Sequence, residues 1–259
     1  MKKTALITGA SSGIGKELAK IHAQRGGDLI IVARTREDLS TLKHELESTY
    51  GIQVHMFDSD LTKDDAVENL YAQIKDANIN VDYLINNAGF GGIGKFHERE
   101  WEKDLAMIQL NIIALTALSR KFLPEMVARG NGKILNVSST ASLLPGPMQA
   151  VYYATKAYVT SFSNAIAEEL HDTGITVTAL LPGATDTNFA QRSGMDKTDL
   201  FSNPQDPREV ALAGYDAMLA GKLDVMAGLT FAQKIMMKSV PFTPKSILLK
   251  QVRKMQEPK

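Results

Sequence analysis

The chain has 259 residues, 44% of them hydrophobic and 22% charged, with 29 basic and 29 acidic side chains. That length suits one compact α/β domain, and a formal net charge of zero leaves no overall field to draw it to nucleic acid or to an anionic surface. With no cysteine, disulfides, thiolate metal sites and cysteine nucleophiles are excluded, and the cytoplasm is the expected compartment.

Met1 to Ile7 imitates the start of an export signal, but the apolar run stops at Thr8-Gly9 and reads as a first strand. Thr4 to Thr8, Leu29 to Ala33, Val54 to Phe57, Tyr83 to Ile85, Lys133 to Val137 and Thr176 to Leu181 have strand character. Between them lie segments of helical periodicity: Ile14 to Arg25, Arg36 to Tyr50, Ala66 to Ile74, Glu102 to Ala128, Tyr153 to Leu170 and, after the last strand, Arg208 to Ala220. The alternation predicts an α/β fold, a parallel sheet covered by helices on both faces. Pro124 is expected to kink or end the long middle helix. Residues 187–206, with Phe189, Met195, Leu200 and Phe201 among polar residues, read as an insertion; residues 230–259 form a basic, partly amphipathic extension. No uninterrupted apolar segment approaches the roughly 18 residues of a spanning helix.

Directly after the first strand comes Thr8-Gly9-Ala10-Ser11-Ser12-Gly13-Ile14-Gly15, leading into a helix. Glycines at such a turn let backbone approach a ligand, and the free amides of the new helix favour phosphate, so the segment reads as a pyrophosphate cradle; a tight turn with a packing glycine has the same pattern. Where an NAD-specific site places a carboxylate on the ribose, this chain has Ala33-Arg34-Thr35-Arg36. A guanidinium there pairs with a 2'-phosphate, so NADP is the expected cofactor, with Arg34 ahead of Arg36 as the discriminator. Asp60 is placed to accept from an adenine amino group or to cap the helix beyond Thr62.

Tyr152 and Lys156 stand four residues apart in a helical segment, on one face. An ammonium beside a phenol lowers the phenol's pKa from about 10 towards the working range, although the spacing alone is common in purely structural settings. Together with Thr8 to Gly15, Asn86-Asn87-Ala88-Gly89, Asn111, Ser139 and Pro182-Gly183, the pair resembles the short-chain dehydrogenase/reductase family, in the family's order and spacings from about Thr4 to Ala220.

The resemblance implies a single-domain, doubly wound Rossmann-type sheet that carries both cofactor and catalysis, in an oxidoreductase interconverting a carbonyl compound and its alcohol with NADP(H). It implies that Ser139 binds the substrate oxygen, Tyr152 transfers the proton, Lys156 tunes the tyrosine and holds the nicotinamide ribose, and Asn111 anchors a water beside the lysine. Cofactor contacts are implied for Gly9, Ser11, Ser12, Gly13, Ile14, Gly15, Arg34, Asp60, Leu61, Asn87, Gly89, Tyr152, Lys156, Pro182, Gly183, Thr185 and Thr187. Two departures stand out: Ser142 where the family often has glycine, and Ser12 where many NADP-preferring relatives carry a basic residue. A homodimer or homotetramer built on Glu102 to Ala128 and Tyr153 to Leu170 is the family's usual assembly.

The five histidines show no ligand spacing, and no metal site is expected. The basic extension reads as a helix packed on a partner or beside the pocket in preference to one lying on a membrane, and no stable membrane insertion is expected. Phe90, Leu143, Leu144, Met148, Phe189, Met195 and Phe201 are expected to line an apolar substrate pocket, with Phe90 to Gly94 as a mobile loop at its mouth. The competing reading is a catalytically silent NADP-binding sensor or assembly subunit.

Overall fold

The computed structural model describes residues 2–198 and 201–257; Leu200 lies outside them. The chain runs β1 (Thr4–Thr8), α1 (Gly13–Gln24), β2 (Asp28–Ala33), α2 (Arg36–Tyr50), β3 (Val54–Asp58), α3 (Ala66–Asp76) and β4 (Tyr83–Asn86). It continues through α4 (Trp101–Ile108), α5 (Leu115–Ala128), β5 (Gly132–Val137), α6 (Ala150–Glu169), β6 (Ile175–Pro182) and α7 (Asn188–Ser193). It closes with α8 (Pro207–Leu219), β7 (Asp224–Ala227), α9 (Phe231–Ser239) and α10 (Lys245–Gln256). Seven parallel strands form one sheet in the order β3-β2-β1-β4-β5-β6-β7. This is the expected Rossmann-type, doubly wound arrangement.

Both faces of the sheet are buried, which is why its central strands read as unbroken apolar runs. Ala5 and Ile7 of β1 point to the face covered by Leu18 of α1, Leu42 and Leu46 of α2, and Val210 and Met218 of α8. Leu6, between them, points to the other face, with Leu70 and Ile74 of α3 and Leu118, Phe122 and Met126 of α5. Each such side chain contributes about 1.5–3 kcal/mol on full burial. The run Trp101–Ala128 is, by length and composition alone, enough to cross a membrane; here Leu118, Phe122 and Met126 of its second half pack on the sheet, while Leu105 and Ile113 stand exposed.

Three expectations change. The helix does not end at Pro124, which lies inside α5. The irregularity falls earlier, at a π-helical turn over Gln109–Ala114 that joins α4 to α5 and carries Asn111, as π turns often do near functional positions. The edge strand β7 was not legible, because Asp224-Val225-Met226-Ala227 is short and half-exposed and takes its strand form from pairing with β6. The extension is two helices: α10 buries Val252 and Gln256, whereas α9 buries none of its residues.

His22 illustrates how a buried polar group is satisfied here. Its Nε2 faces the carbonyls of Lys3 at 2.9 Å and Asp28 at 3.1 Å, so this nitrogen carries the proton, and Nδ1 accepts from the Tyr215 hydroxyl at 2.6 Å. Burial holds its pKa below the ordinary 6.5. Below about pH 6.5 the unfolded chain therefore binds a proton that the folded chain refuses, and stability falls as the pH drops from there towards the folded pKa. An NMR titration should give His22 a midpoint below 6.5, with the melting temperature declining over the same window; a midpoint at or above 6.5 contradicts this assignment.

Candidate active site

The chain leaves β1 for β2 and β3 on one side and returns to β4 on the other, so a crevice opens at the carboxyl ends of β1 and β4. A cleft of about 310 Å³ lies there, running from Arg34 and Asp60 at one end, past the glycine loop, to Ser139, Tyr152 and Lys156.

The glycine loop fits a dinucleotide on its own geometry. Gly13 has φ +53°, a conformation other residues adopt only with strain, and a Cβ there would stand 2.8 Å from Cγ2 of Thr187. Ser12 precedes α1 as its N-cap without a side-chain cap bond, so the first amides of the helix receive nothing from its hydroxyl. Gly9, Ser11, Ser12, Gly13 and Ile14 all line the cleft. Gly15 does not: a Cβ there would lie 2.3 Å from the Gly9 carbonyl oxygen, so its absence lets α1 pack beneath the loop. The expected cofactor contact at Gly15 is thus a packing contact. Asn87 lines the cleft, but its Nδ2 donates to Thr8 O at 2.9 Å, while Thr8 Oγ1 accepts from the Asn87 and Ala88 amides at 3.0 Å each. These bonds clamp the end of β4 to the glycine loop.

Arg36 donates to Asp58 Oδ1 at 2.7 Å. Arg34 lines the cleft and forms no ion pair among the described residues, which leaves its guanidinium available to a ligand. Asp60 Oδ1 accepts from the Thr62 amide and hydroxyl at 3.1 and 2.8 Å, so the carboxylate shapes the turn while Asp60 and Leu61 border the cleft. Pro182, Gly183, Thr185 and Thr187 line the opposite wall; Thr185 donates to Gly183 O at 3.0 Å and Thr187 caps α7 through the Phe189 amide at 3.2 Å.

Tyr152 and Lys156 lie one turn apart on α6, both buried and both lining the cleft. Lys156 Nζ donates to the Val137 carbonyl at 2.9 Å, at the end of β5, and lies 5.9 Å from the Tyr152 ring centroid. Burial lowers the lysine's pKa to about 8. Tyr152 was expected to be lowered by the ammonium. Burial instead pushes it up to about 12, with a hydrogen bond to Ser139 pulling the other way. The reason is position: the ammonium faces a backbone carbonyl, and the phenolate would lose its solvation. Tyr152 is accordingly a protonated phenol at neutral pH. Ser139 Oγ also accepts from the Ala141 amide at 3.1 Å, whereas its neighbour Ser138 is spent on Lys156 O and Thr160.

Asn111 is buried outside the cleft wall. Its Oδ1 accepts from the Phe90 amide at 3.2 Å, and its Nδ2 donates to Phe90 O and to Thr155 Oγ1, each at 3.0 Å. Its side chain therefore fastens the loop after β4 to α6. Gly89 sits between: a Cβ there would come 3.0 Å from Asn111 Oδ1 and 3.4 Å from Lys156 Nζ.

Phe90, Leu144, Phe189, Met195 and Phe201 line the substrate end as expected; Leu143 and Met148 do not. Leu143 ends a short 3-10 turn, and Met148 lends its carbonyl to the Gly94 amide at 2.8 Å. That bond, one from Ile93 N to Ser193 O at 3.1 Å and one from Arg99 to Ile93 O at 2.8 Å tie down the loop expected to be mobile. Tyr153, Arg192, Met237, Val252 and Met255 also line the cleft and were missed. Tyr153 accepts from Gln256 Nε2, joining α6 to α10. The apolar spacing of the extension carried part of that signal, but not which wall it would form.

Comparison with known proteins agrees. The family model described as short chain dehydrogenase matches residues 3–198. The uncharacterized oxidoreductase YvrD of Bacillus subtilis is 36% identical over 208 residues, 77% of this chain and 78% of the relative. A fatty acyl-CoA reductase of Acinetobacter baylyi is 32% identical over 240 residues, 89% of this chain and 79% of the relative. The solved short-chain dehydrogenase from Sphingobium yanoikuyae in complex with NADPH superposes with a TM-score of 0.84 at 31% identity, covering 95% of this chain and 94% of that one. The match over most of the chain and the shared fold place the chain in the short-chain dehydrogenase/reductase family, as an oxidoreductase built for a nicotinamide cofactor.

Proposed function

We propose that the protein is an NADP(H)-dependent oxidoreductase that interconverts a carbonyl compound and its alcohol, with Tyr152 as the proton donor in reduction. The observation that carries this reading is the convergence of Ser139, Tyr152 and Lys156 on one cleft continuous with the glycine loop and Arg34. When bound, the nicotinamide supplies a hydride to the carbonyl carbon. Tyr152 gives its hydroxyl proton to the carbonyl oxygen, and Ser139 holds that oxygen by hydrogen bonding. A pKa of about 12 keeps the phenol protonated yet acidic enough to quench an alkoxide. Lys156, 5.9 Å from the Tyr152 ring, keeps positive charge near the phenolate left behind and would hold the nicotinamide ribose. A silent sensor has no use for this assembly, and that reading is set aside.

The preference for NADP rests on Arg34, and the NADPH bound by the Sphingobium relative supports it. The apolar lining, together with a relative that acts as a fatty acyl-CoA reductase, supports a hydrophobic carbonyl substrate. Leu105, Ile113 and Tyr158 stand exposed along α4, the π turn and α6, which supports a homodimer or larger homo-oligomer on those helices. A cytoplasmic location fits a chain without cysteine.

Replacing Tyr152 by Phe removes only the transferable proton. Turnover of a carbonyl panel followed by NADPH absorbance should drop at least about a hundredfold with NADPH affinity nearly unchanged; retained turnover contradicts the assignment. Arg34→Asp should move the ratio of kcat/KM for NADPH over NADH towards NADH by about tenfold or more, the worth of a lost charge-assisted contact. An unchanged ratio would show that another residue reads the phosphate.

A further inference from the structure

The outer surface of α9 and α10 is unlike the rest of the molecule. Among the described residues, seven of the fifteen exposed large apolar side chains lie in residues 231–255. Phe231 is 80% and Phe242 88% exposed, with Ile235, Met236 and Ile247 about half exposed. The same stretch is strongly basic. Residues 230–259 contain seven basic residues and one acidic residue, so in a chain of zero net charge the remainder carries the balancing acid excess. The acid, Glu257, is 3.6 Å from Arg253, leaving the lysines of α9 and α10 with no carboxylate of their own segment.

Alone, α9 is an improbable helix. It has nine residues, none of them buried, below the length at which helices persist unaided in water. Lys234 and Lys238 repel each other at i, i+4. Its internal support is a capping box between Thr230 and Gln233 and the contact of Met237 with the cleft; a partner that takes up Phe231, Phe242 and positive charge would add what the fold leaves out. A second copy across a two-fold axis would set these lysines against their own images. An anionic lipid surface accepts both features: apolar side chains enter the interface and lysines meet lipid phosphates.

The inner side of the same element faces the cleft through Met237, Val252 and Met255. Val252 packs with Tyr152, Tyr153 and Leu248, and Gln256 is bonded to Tyr153. One helix pair thus offers an apolar wall to the cleft and an apolar, basic face outward.

We propose that α9 and α10 seat the protein peripherally on an anionic lipid bilayer, with the apolar end of the cleft opening beside the membrane. The acid excess of the remaining molecule orients it away from the lipid. The docking stands on the surface itself; its use in delivering an apolar substrate rests on the reaction proposed above.

Sedimentation with sucrose-loaded vesicles tests this, using phosphatidylcholine alone and a mixture of about one part phosphatidylglycerol to two parts phosphatidylcholine. The full chain should pellet with the mixed vesicles at about 0.05 M salt, much less with neutral ones, and lose most binding at about 0.5 M salt. Lys234→Glu with Lys238→Glu, and separately Phe242→Ser, should lower the partition coefficient about tenfold or more while reduction of a water-soluble ketone is unchanged. No pelleting with the mixed vesicles at low salt overturns the proposal. So does light scattering of an oligomer that Phe242→Ser dissociates, which would give the face to a second copy. Vesicle binding without reductase activity would leave the docking standing and refute the reaction instead.

Discussion

The site is organised around an ammonium held where water is scarce. Lys156 is buried on α6, and its Nζ finds the Val137 carbonyl at 2.9 Å, at the last residue of β5. A fall of the lysine pKa from 10.5 to about 8 corresponds to a cost on the order of 3 kcal/mol for keeping the charge in that place. Its surroundings fit the need to keep the charge in place. Gly89 leaves room for it, Asn111 pins the neighbouring loop to α6 through Phe90 and Thr155, and Ser138 bonds the Lys156 carbonyl to fix that turn of the helix. The same burial raises Tyr152. A phenol that keeps its proton and a lysine close to losing its own are two consequences of one desolvated cleft.

Much of this was legible in the sequence, for identifiable reasons. β1 and α2 match their expected ranges because unbroken apolar character and helical periodicity are local signals. The glycine loop and the Tyr152–Lys156 pair were legible because motif spacing survives without knowledge of packing. Other features depend on tertiary partners. The π turn at Gln109–Ala114 carries the Asn111 that bonds Phe90 and Thr155, and Pro124 lies within α5, a helix packed on the sheet through Leu118, Phe122 and Met126. β7 exists through its pairing with β6. The pKa of Tyr152 was misjudged because adjacency on a helix face says nothing about where the ammonium points. Leu143 and Met148 were misplaced because their backbone is used for turns, and the contribution of α9 and α10 to the cleft required knowing how the chain returns to it.

The sheet and the extension divide the work. The carboxyl ends of β1 and β4 create the cradle at the switch point, β5 and α6 bring Ser139, Tyr152 and Lys156 to its end, and the C-terminal helices close the apolar side. The first two parts are rigidly determined by seven paired strands. The last is joined through Val252, Leu248 and the Gln256–Tyr153 bond, a smaller attachment whose outward face is apolar and basic. The cleft and the outward apolar, basic face belong to separate stretches of the chain that meet at Tyr153.

The buried ammonium is the claim on which the account turns, and the pH profile of kcat/KM for carbonyl reduction, which reports groups of the free enzyme, tests it most directly. With Lys156 at about 8 and Tyr152 at about 12, the rate should begin to fall near pH 8 as the lysine loses its charge, while the phenol is still protonated. A profile that stays level to pH 10 and declines only beyond it would contradict the account.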